Sequence, residues 1–350
     1  MANKIKVLIV DDSALIRMLL TKALSESDDI DVVGAAEDPF VAREMIKKYH
    51  PDVLTLDIEM PKMDGLTFLK NLMRLRPIPV VMVSTLTKKG ANVTLKALEY
   101  GAIDFVAKPD TDIRENLLAY SGILIAKVKA ASKANVANNL SPMTKAGSSI
   151  SQPRGSKLNT NIEIISIGAS TGGTEAIKAV VMGLPTNLPP IVMTQHIPPV
   201  FSTSFAKRLN EASAITVIEP TERMELKPGY AYLAPGTDHM LITKSGGKLY
   251  CNLERSDPVN RHRPSVDVLF NSVAKACGSK SLAIILTGMG ADGAKGLKLL
   301  KDTGVHTIAQ DEASSVVWGM PGAAVGLGGA SEVLSLTKIP KRLVSLVYGK

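Results

Sequence analysis

The stretch IEIISIGASTGG, residues 162–173, carries a short β-branched run, Ile164, Ile165 and Ile167, that stops abruptly at Gly168-Ala169-Ser170-Thr171-Gly172-Gly173. Ala176, Ile177, Val180 and Val181 then recur at helical spacing. The pattern predicts strand, tight glycine turn and helix. A buried parallel strand that ends in such a turn presents its last residues at the carboxyl edge of a sheet, where open α/β folds place ligands. Ser170 therefore stands where a nucleophile would stand, beside the amino end of a helix. A phosphate cradle, or a plain tight turn, fits the same residues.

Two more apolar runs end in reactive side chains. Ile191-Val192-Met193 leads into Thr194-Gln195-His196, and Ile197-Pro198-Pro199 stops the strand there. Leu282–Leu286 leads into Thr287-Gly288-Met289-Gly290-Ala291-Asp292-Gly293. Ser170, His196 and Asp292 should converge at one sheet edge as nucleophile, base and orienter. The backbone N–H groups of Thr171 and Met289, in the two glycine loops, could form an oxyanion hole. The other histidines fit this role worse. His306 lies inside an expected strand and reads as core, His50 ends a helix before Pro51, His239 falls on an expected hairpin, and His262 sits in a charged turn. Pro228-Gly229 and Pro235-Gly236 flank YAYLA, and HMLIT follows, which predicts a hairpin appended to the main sheet. A helix capped by Ser265 and ended by Gly278, and strands at 305–309 and 332–336, complete a second doubly wound, Rossmann-like domain.

The first half repeats strand and helix in strict alternation. Strands are expected at 5–10, 31–36, 52–57, 79–83 and 103–106, and helices at 39–49, 64–74, 88–99 and 111–130. A further helix follows Ser13, a plausible N-cap. This alternation implies a parallel sheet with right-handed crossovers, and five strands fit the flavodoxin-like order. Asp11 and Asp12 follow the first strand and Asp57 ends the third. Carboxylates so close repel unless a cation intervenes, and Mg²⁺ takes one or two of them together with waters and phosphate oxygens. Ser84 and Lys108 lie at the ends of the fourth and fifth strands. Around an exposed Asp57, such a set could support phosphoryl acceptance.

Composition bounds the rest. A chain of 350 residues with 45% hydrophobic and 21% charged residues can build two or three aliphatic cores, since aromatics are only 4%. No run reaches the ~18 apolar residues of a membrane span, and the start MANKIKVLIVDDS does not read as a signal peptide. Cys251 and Cys277 make neither metal spacing nor a disulfide framework and read as buried thiols of a cytoplasmic protein. The net charge of +8 comes from scattered residues without an aromatic-basic stripe, so nucleic acid is not expected as a partner. Residues 132–160, rich in Ser, Asn, Gly, Pro and Lys, read as a flexible basic connector.

The order Asp11-Asp12, Asp57 with Met60-Pro61 and Asp64-Gly65, Ser84, then Lys108-Pro109 resembles a two-component receiver domain. The combination of that half with GASTGG, TQHIPP, HRPSVDVLF and TGMGADG resembles the chemotaxis response-regulator methylesterase family, CheB. The resemblance implies a receiver over 1–125, a linker over 126–160 and a methylesterase domain over 161–350. It implies Asp57 as phosphoacceptor, Mg²⁺ held by Asp11, Asp12, Asp57 and the Glu59 backbone carbonyl, Ser84 and Lys108 as phosphate contacts, and Phe105 as the switch aromatic, where tyrosine is more usual. It carries the hydrolytic triad onto Ser170, His196 and Asp292, with no cofactor for the esterase. The implied activity is hydrolysis of glutamate methyl esters, with deamidation of glutamines, on methyl-accepting chemoreceptors. The implied phosphodonor is a sensor histidine kinase, and the protein is expected to be a cytoplasmic monomer without membrane insertion. The rival functions are a non-enzymatic response regulator with a binding output domain and a nucleotide-binding protein. The second rival lacks both the full G-x-G-x-x-G spacing and the following acid.

Overall fold

A computed structural model describes residues 4–108, 117–134, 159 and 161–349. The chain divides into two compact units, Met1–Ser141 and Pro142–Lys350. Among the described residues, no helix is long and apolar enough to cross a membrane.

In the first unit, strands β1 (Ile5–Val10), β2 (Ile30–Ala36), β3 (Val53–Asp57), β4 (Val80–Ser84) and β5 (Asp104–Ala107) form one sheet in the order β2-β1-β3-β4-β5. Every pairing is parallel. This is the flavodoxin-like order expected from the alternating pattern. The sheet is buried on both faces, and so its strands are continuous apolar runs: Val7, Leu8, Ile9, Leu54 and Val81 are all at 0% exposure. Helices fill the crossovers at Ala14–Ser25, Pro39–Tyr49, Gly65–Leu75 and Lys88–Glu99, and Leu117–Ser132 follows β5. Ser13, Asp38, Asp64 and Thr87 cap the first four with side-chain oxygens. The Leu117–Ser132 helix overruns the boundary expected at 125, because Leu124, Val128 and Ala131 continue its buried stripe. The rest of the expected linker, and residues 111–116 of the expected helix, lie outside the described residues apart from 133–134 and 159.

The second unit carries a seven-stranded sheet, and all of its pairings are parallel. Its strands are β6 (Ile164–Ala169), β7 (Ile191–Gln195), β8 (Thr216–Ile218), β10 (Tyr230–Leu233), β13 (Ser281–Ile285), β14 (His306–Gln310) and β15 (Glu332–Leu334). The order is β15-β14-β13-β6-β7-β10-β8. From β6 the chain winds outward through β7, then returns to lay β13 on the other side of β6. The boundary between β6 and β13 is thus a switch point, where the crevice of a doubly wound sheet opens.

The expected hairpin is corrected. YAYL is β10, a strand of the main sheet between β7 and β8, and it does not pair with HMLIT. Ala231, Tyr232 and Leu233 are all buried, the mark of a strand covered on both faces. The hairpin is instead β11 (His239–Ser245) with β12 (Lys248–Glu254), joined by β9 (Met224–Glu225) in a separate antiparallel sheet. Ser245 pairs with Lys248 across Gly246 and Gly247, whose φ values of 56° and 78° suit a two-residue primed turn. This small sheet packs on the helix Val266–Cys277 through Met240, Ile242, Leu249 and Cys251. Both cysteines are buried free thiols, as expected.

Candidate active site

Ser170 follows β6, and its backbone is held from both sides. Its N–H donates to the Thr287 carbonyl at 3.0 Å. Its carbonyl accepts from Gly173 N–H at 2.7 Å and from Gln195 Nε2 at 2.8 Å. Gly288 crosses so near that a Cβ there would lie 2.8 Å from Ser170 Cβ, so only glycine lets the second loop close over the serine. Met289, the next residue, is half-buried. The Gln195 side chain packs against the turn: a Cβ on Gly173 would meet Gln195 Oε1 at 2.2 Å.

His196 extends β7 by one rung, its N–H donating to the Ala169 carbonyl at 3.2 Å. The Pro198-Pro199 pair then turns the chain into the helix Pro199–Ala212. His196 Nδ1 lies 3.1 Å from Ser170 Oγ, and Nε2 lies 2.8 Å from Asp292 Oδ2. An ionised carboxylate only accepts, so Nε2 carries the proton and Nδ1 is left to accept from the serine hydroxyl. The ring thus uses its nitrogens in the opposite sense to the familiar serine protease arrangement.

Asp292 does not cap the helix that follows it; Gly293 occupies that position. Its carboxylate sits at the start of the helix Val266–Cys277. Oδ1 accepts from Asn260 Nδ2 at 2.7 Å, Ser265 Oγ at 2.8 Å and Asp267 N–H at 3.3 Å. Oδ2 accepts from Val266 N–H at 2.7 Å besides His196. Burial alone would raise this carboxyl, but the hydrogen bonds from His196, Asn260 and Val266 hold it well below the usual carboxylate range. It is a fixed anion, as an orienting group must be.

The structure brings together all three residues expected at the edge and adds others. His262 stacks flat on His196, with ring centroids 3.6 Å apart and planes 8° apart. Asn260, Gln195 and Ser265 buttress the same groups. The HRPSVD string was visible, but a charged turn gave no sign of where its ring would point. His239 is fully buried in β11; its Nδ1 accepts from Ser265 N–H and its Nε2 faces the Asp257 carbonyl, each at 3.1 Å. His306 is corrected from core to partly exposed: it starts β14 and pairs with Glu332 at 2.8 Å.

At the carboxyl edge of the first sheet, Asp11, Asp12 and Asp57 each offer an oxygen within 4.8 Å of the others. Asp57 is buried at 1% exposure, not exposed as expected, because Lys108 and Asp11 close against it. Lys108 Nζ lies 2.7 Å from Asp57 Oδ2 and 3.5 Å from Asp11 Oδ2, which makes no hydrogen bond. Burial pushes the Asp57 carboxyl up to about 6 and the Asp11 charge adds to this, although the Lys108 hydrogen bond pulls it down. Burial likewise raises Asp11. Ser84 is buried beside this edge and accepts from Thr94 Oγ1 at 2.7 Å. Phe105 is buried in β5 with Lys127 Nζ 5.4 Å from its ring centroid. Glu59 lies two residues past Asp57 in the loop beyond β3. The three acids, with Asp11 Oδ2 buried and without a hydrogen bond, fit a hard divalent cation with oxygen ligands.

Residues 165–343 match the family model for CheB methylesterase, and residues 7–118 match that for the response regulator receiver domain. A protein-glutamate methylesterase/protein-glutamine glutaminase of Saccharophagus degradans is 54% identical over 97% of this chain and 98% of its own length. One from Salmonella choleraesuis is 51% identical over 99% of this chain and 97% of its own. Among solved structures, the Thermotoga maritima CheB methylesterase catalytic domain aligns at a TM-score of 0.52 and 42% identity, covering 53% of this chain and 99% of that one. With a receiver ahead of a switch-point site of this geometry, the chain belongs to the CheB methylesterase family.

Proposed function

We propose that this protein hydrolyses glutamate methyl esters on chemoreceptors, and deamidates glutamines there, under control of phosphorylation at Asp57. The alignment of Ser170, His196 and Asp292 at the switch point is the observation that carries the reading. In the first step Ser170 Oγ attacks the ester carbonyl while His196 Nδ1 takes its proton, and Asp292 holds the imidazolium that forms. Backbone N–H groups of Thr171 and Met289 stabilise the oxyanion. The protonated His196 then gives its proton to the leaving methoxide, and methanol departs. Water, activated by the same ring, cleaves the acyl-serine to a glutamate carboxylate. An amide substrate follows the same route with ammonia leaving.

In the receiver, Asp11, Asp12, Asp57 and the Glu59 carbonyl would hold Mg²⁺, whose contribution is to neutralise charge as a phosphoryl group from a sensor histidine kinase approaches. Lys108 and Ser84 would contact the phosphoryl oxygens, and Phe105 would report the change. We place the end of the receiver after Ser132 rather than at 125, since the helix runs that far, and the catalytic domain from about residue 161.

Methanol release from methylated receptor membranes tests the reading. Ser170→Ala should lower kcat on the order of 10⁴-fold or more in a folded protein. Retention of more than about a tenth of the rate would remove Ser170 from the nucleophile's role.

A further inference from the structure

Val259 and His262 close a tight turn through two backbone hydrogen bonds, Val259 N–H to His262 O at 3.0 Å and His262 N–H to Val259 O at 2.9 Å. The residues between them, Asn260 and Arg261, have φ values of 52° and 68°. Both lie in the left-handed region, which asparagine tolerates and arginine adopts only at a cost. Backbone held in that region over two successive non-glycine residues is over-determined by its surroundings.

What the turn achieves is a double contact. Asn260 Nδ2 donates to Asp292 Oδ1 at 2.7 Å and to Asp267 Oδ2 at 2.8 Å, so one amide bridges two buried carboxylates. Two positions along, the His262 ring lies flat on His196. A single four-residue turn thus grips both the orienting acid and the ring it orients.

We propose that the Val259–His262 turn is a positioning clip for the hydrolytic unit, with Asn260 and His262 as its two positioning residues. The proposal rests on the reading of Ser170, His196 and Asp292 given above. Among the described residues, Asn260 is the one donor of Asp292 that also holds Asp267, so it ties the carboxylate to the turn and sets the angle at which Oδ2 meets the Nε2–H of His196. Without it the Asp292 carboxylate could rotate, and the His196 ring would follow. His262 limits tilt of the His196 ring, whose contact to Ser170 Oγ at 3.1 Å is the longer of its two. Asn260 acts through Asp292 and His262 through the His196 ring it covers, so both act through kcat rather than substrate affinity.

The test uses the full-length protein, with kcat and KM for methanol release measured separately, and the downfield proton resonance of the His196–Asp292 hydrogen bond followed by NMR. Asn260→Ala should lower kcat about ten- to hundredfold, the worth of one hydrogen bond to a charged group, with KM unchanged and the resonance shifted or lost. His262→Ala should lower kcat about three- to tenfold, and His262→Phe, which keeps a stacked ring, should recover most of that. If Asn260→Ala fails to fold, Asn260→Asp keeps the turn but points an acceptor at two carboxylates, and it should lose at least as much. Folded Asn260 and His262 variants with wild-type kcat and resonance, beside an inactive Ser170→Ala, would overturn the clip alone. An active Ser170→Ala would instead overturn the reading beneath it.

Discussion

Two buried aspartates stand at the carboxyl edges of two parallel sheets, and their surroundings push them in opposite directions. Asp57 faces Asp11 across an edge whose one nearby cation among the described residues is Lys108, and its carboxyl is raised to about 6. Asp292 accepts hydrogen bonds from Asn260, Ser265, Val266, Asp267 and His196, and it is held ionised. Burial is nearly the same, at 1% and 3% exposure, so depth does not decide the charge; the supply of donors does. Asp57 accepts only from Ile58 N–H and Lys108 Nζ among the described residues, whereas both oxygens of Asp292 are saturated.

The comparison breaks most visibly at Asp292. Asp292→Asn keeps the shape but swaps an acceptor for a donor facing His196 Nε2, forcing the wrong tautomer. Methanol release should fall on the order of 10⁴-fold while the circular dichroism spectrum stays native. A loss below about tenfold would mean that the fixed anion is dispensable.

The opposite shifts also predict opposite pH slopes within one chain. Asp57 is raised in the folded state, so its ionisation destabilises the first unit, fully above pH 6 and not at all below the unfolded carboxylate value. The penalty is on the order of 2–3 kcal/mol, and Asp57→Asn or excess Mg²⁺ should relieve it. Asp292 is depressed, so it stabilises the second unit above the unfolded carboxylate value and loses that contribution as pH falls through and below about 4. Hydrogen exchange of peptides from β1 and β3, and from β6 and β13, corrected for intrinsic rates, reads both slopes. Parallel slopes in the two units would sink the contrast.

The smallest effect tests redundancy. Ser265→Ala removes one of Asp292's donors and the side-chain cap of the helix Val266–Cys277. Because four donors remain and Ser265 Oγ, unlike the Asn260 amide, reaches only one of the two carboxylates, kcat should drop by less than about tenfold, and the second unit should lose about 1–2 kcal/mol by thermal melting. A loss as deep as that of Asp292→Asn would show that Ser265 is as necessary as the carboxylate it holds.

Much of this was legible in the sequence for one reason: in a parallel sheet, the residue after an apolar run lands at the functional edge. Ser170, His196, Asp292, Asp57, Ser84 and Lys108 all obey that rule. YAYL was misread because two proline-glycine pairs looked like hairpin punctuation, while its unbroken burial belonged to a central strand. The true turn, Gly246-Gly247, sat between two lysine-bearing ends whose alternation is weak. Asn260 and His262 could not be read at all, since their reach depends on left-handed backbone and on a helix start brought in from elsewhere. Nor could sequence say which nitrogen of His196 meets the serine.

The neighbour relation between β6 and β13 has a consequence for how the protein is made. Ile285 pairs with Gly168, so one side of β6 finds its partner only after more than a hundred further residues have been translated. At roughly 5–20 residues per second, the apolar edge of Ile164–Ala169 waits several seconds or more on the ribosome. An uncovered strand of that kind is a template for pairing with other chains. Biogenesis of the esterase, more than the finished enzyme, is therefore where aggregation would strike and where a chaperone would matter most.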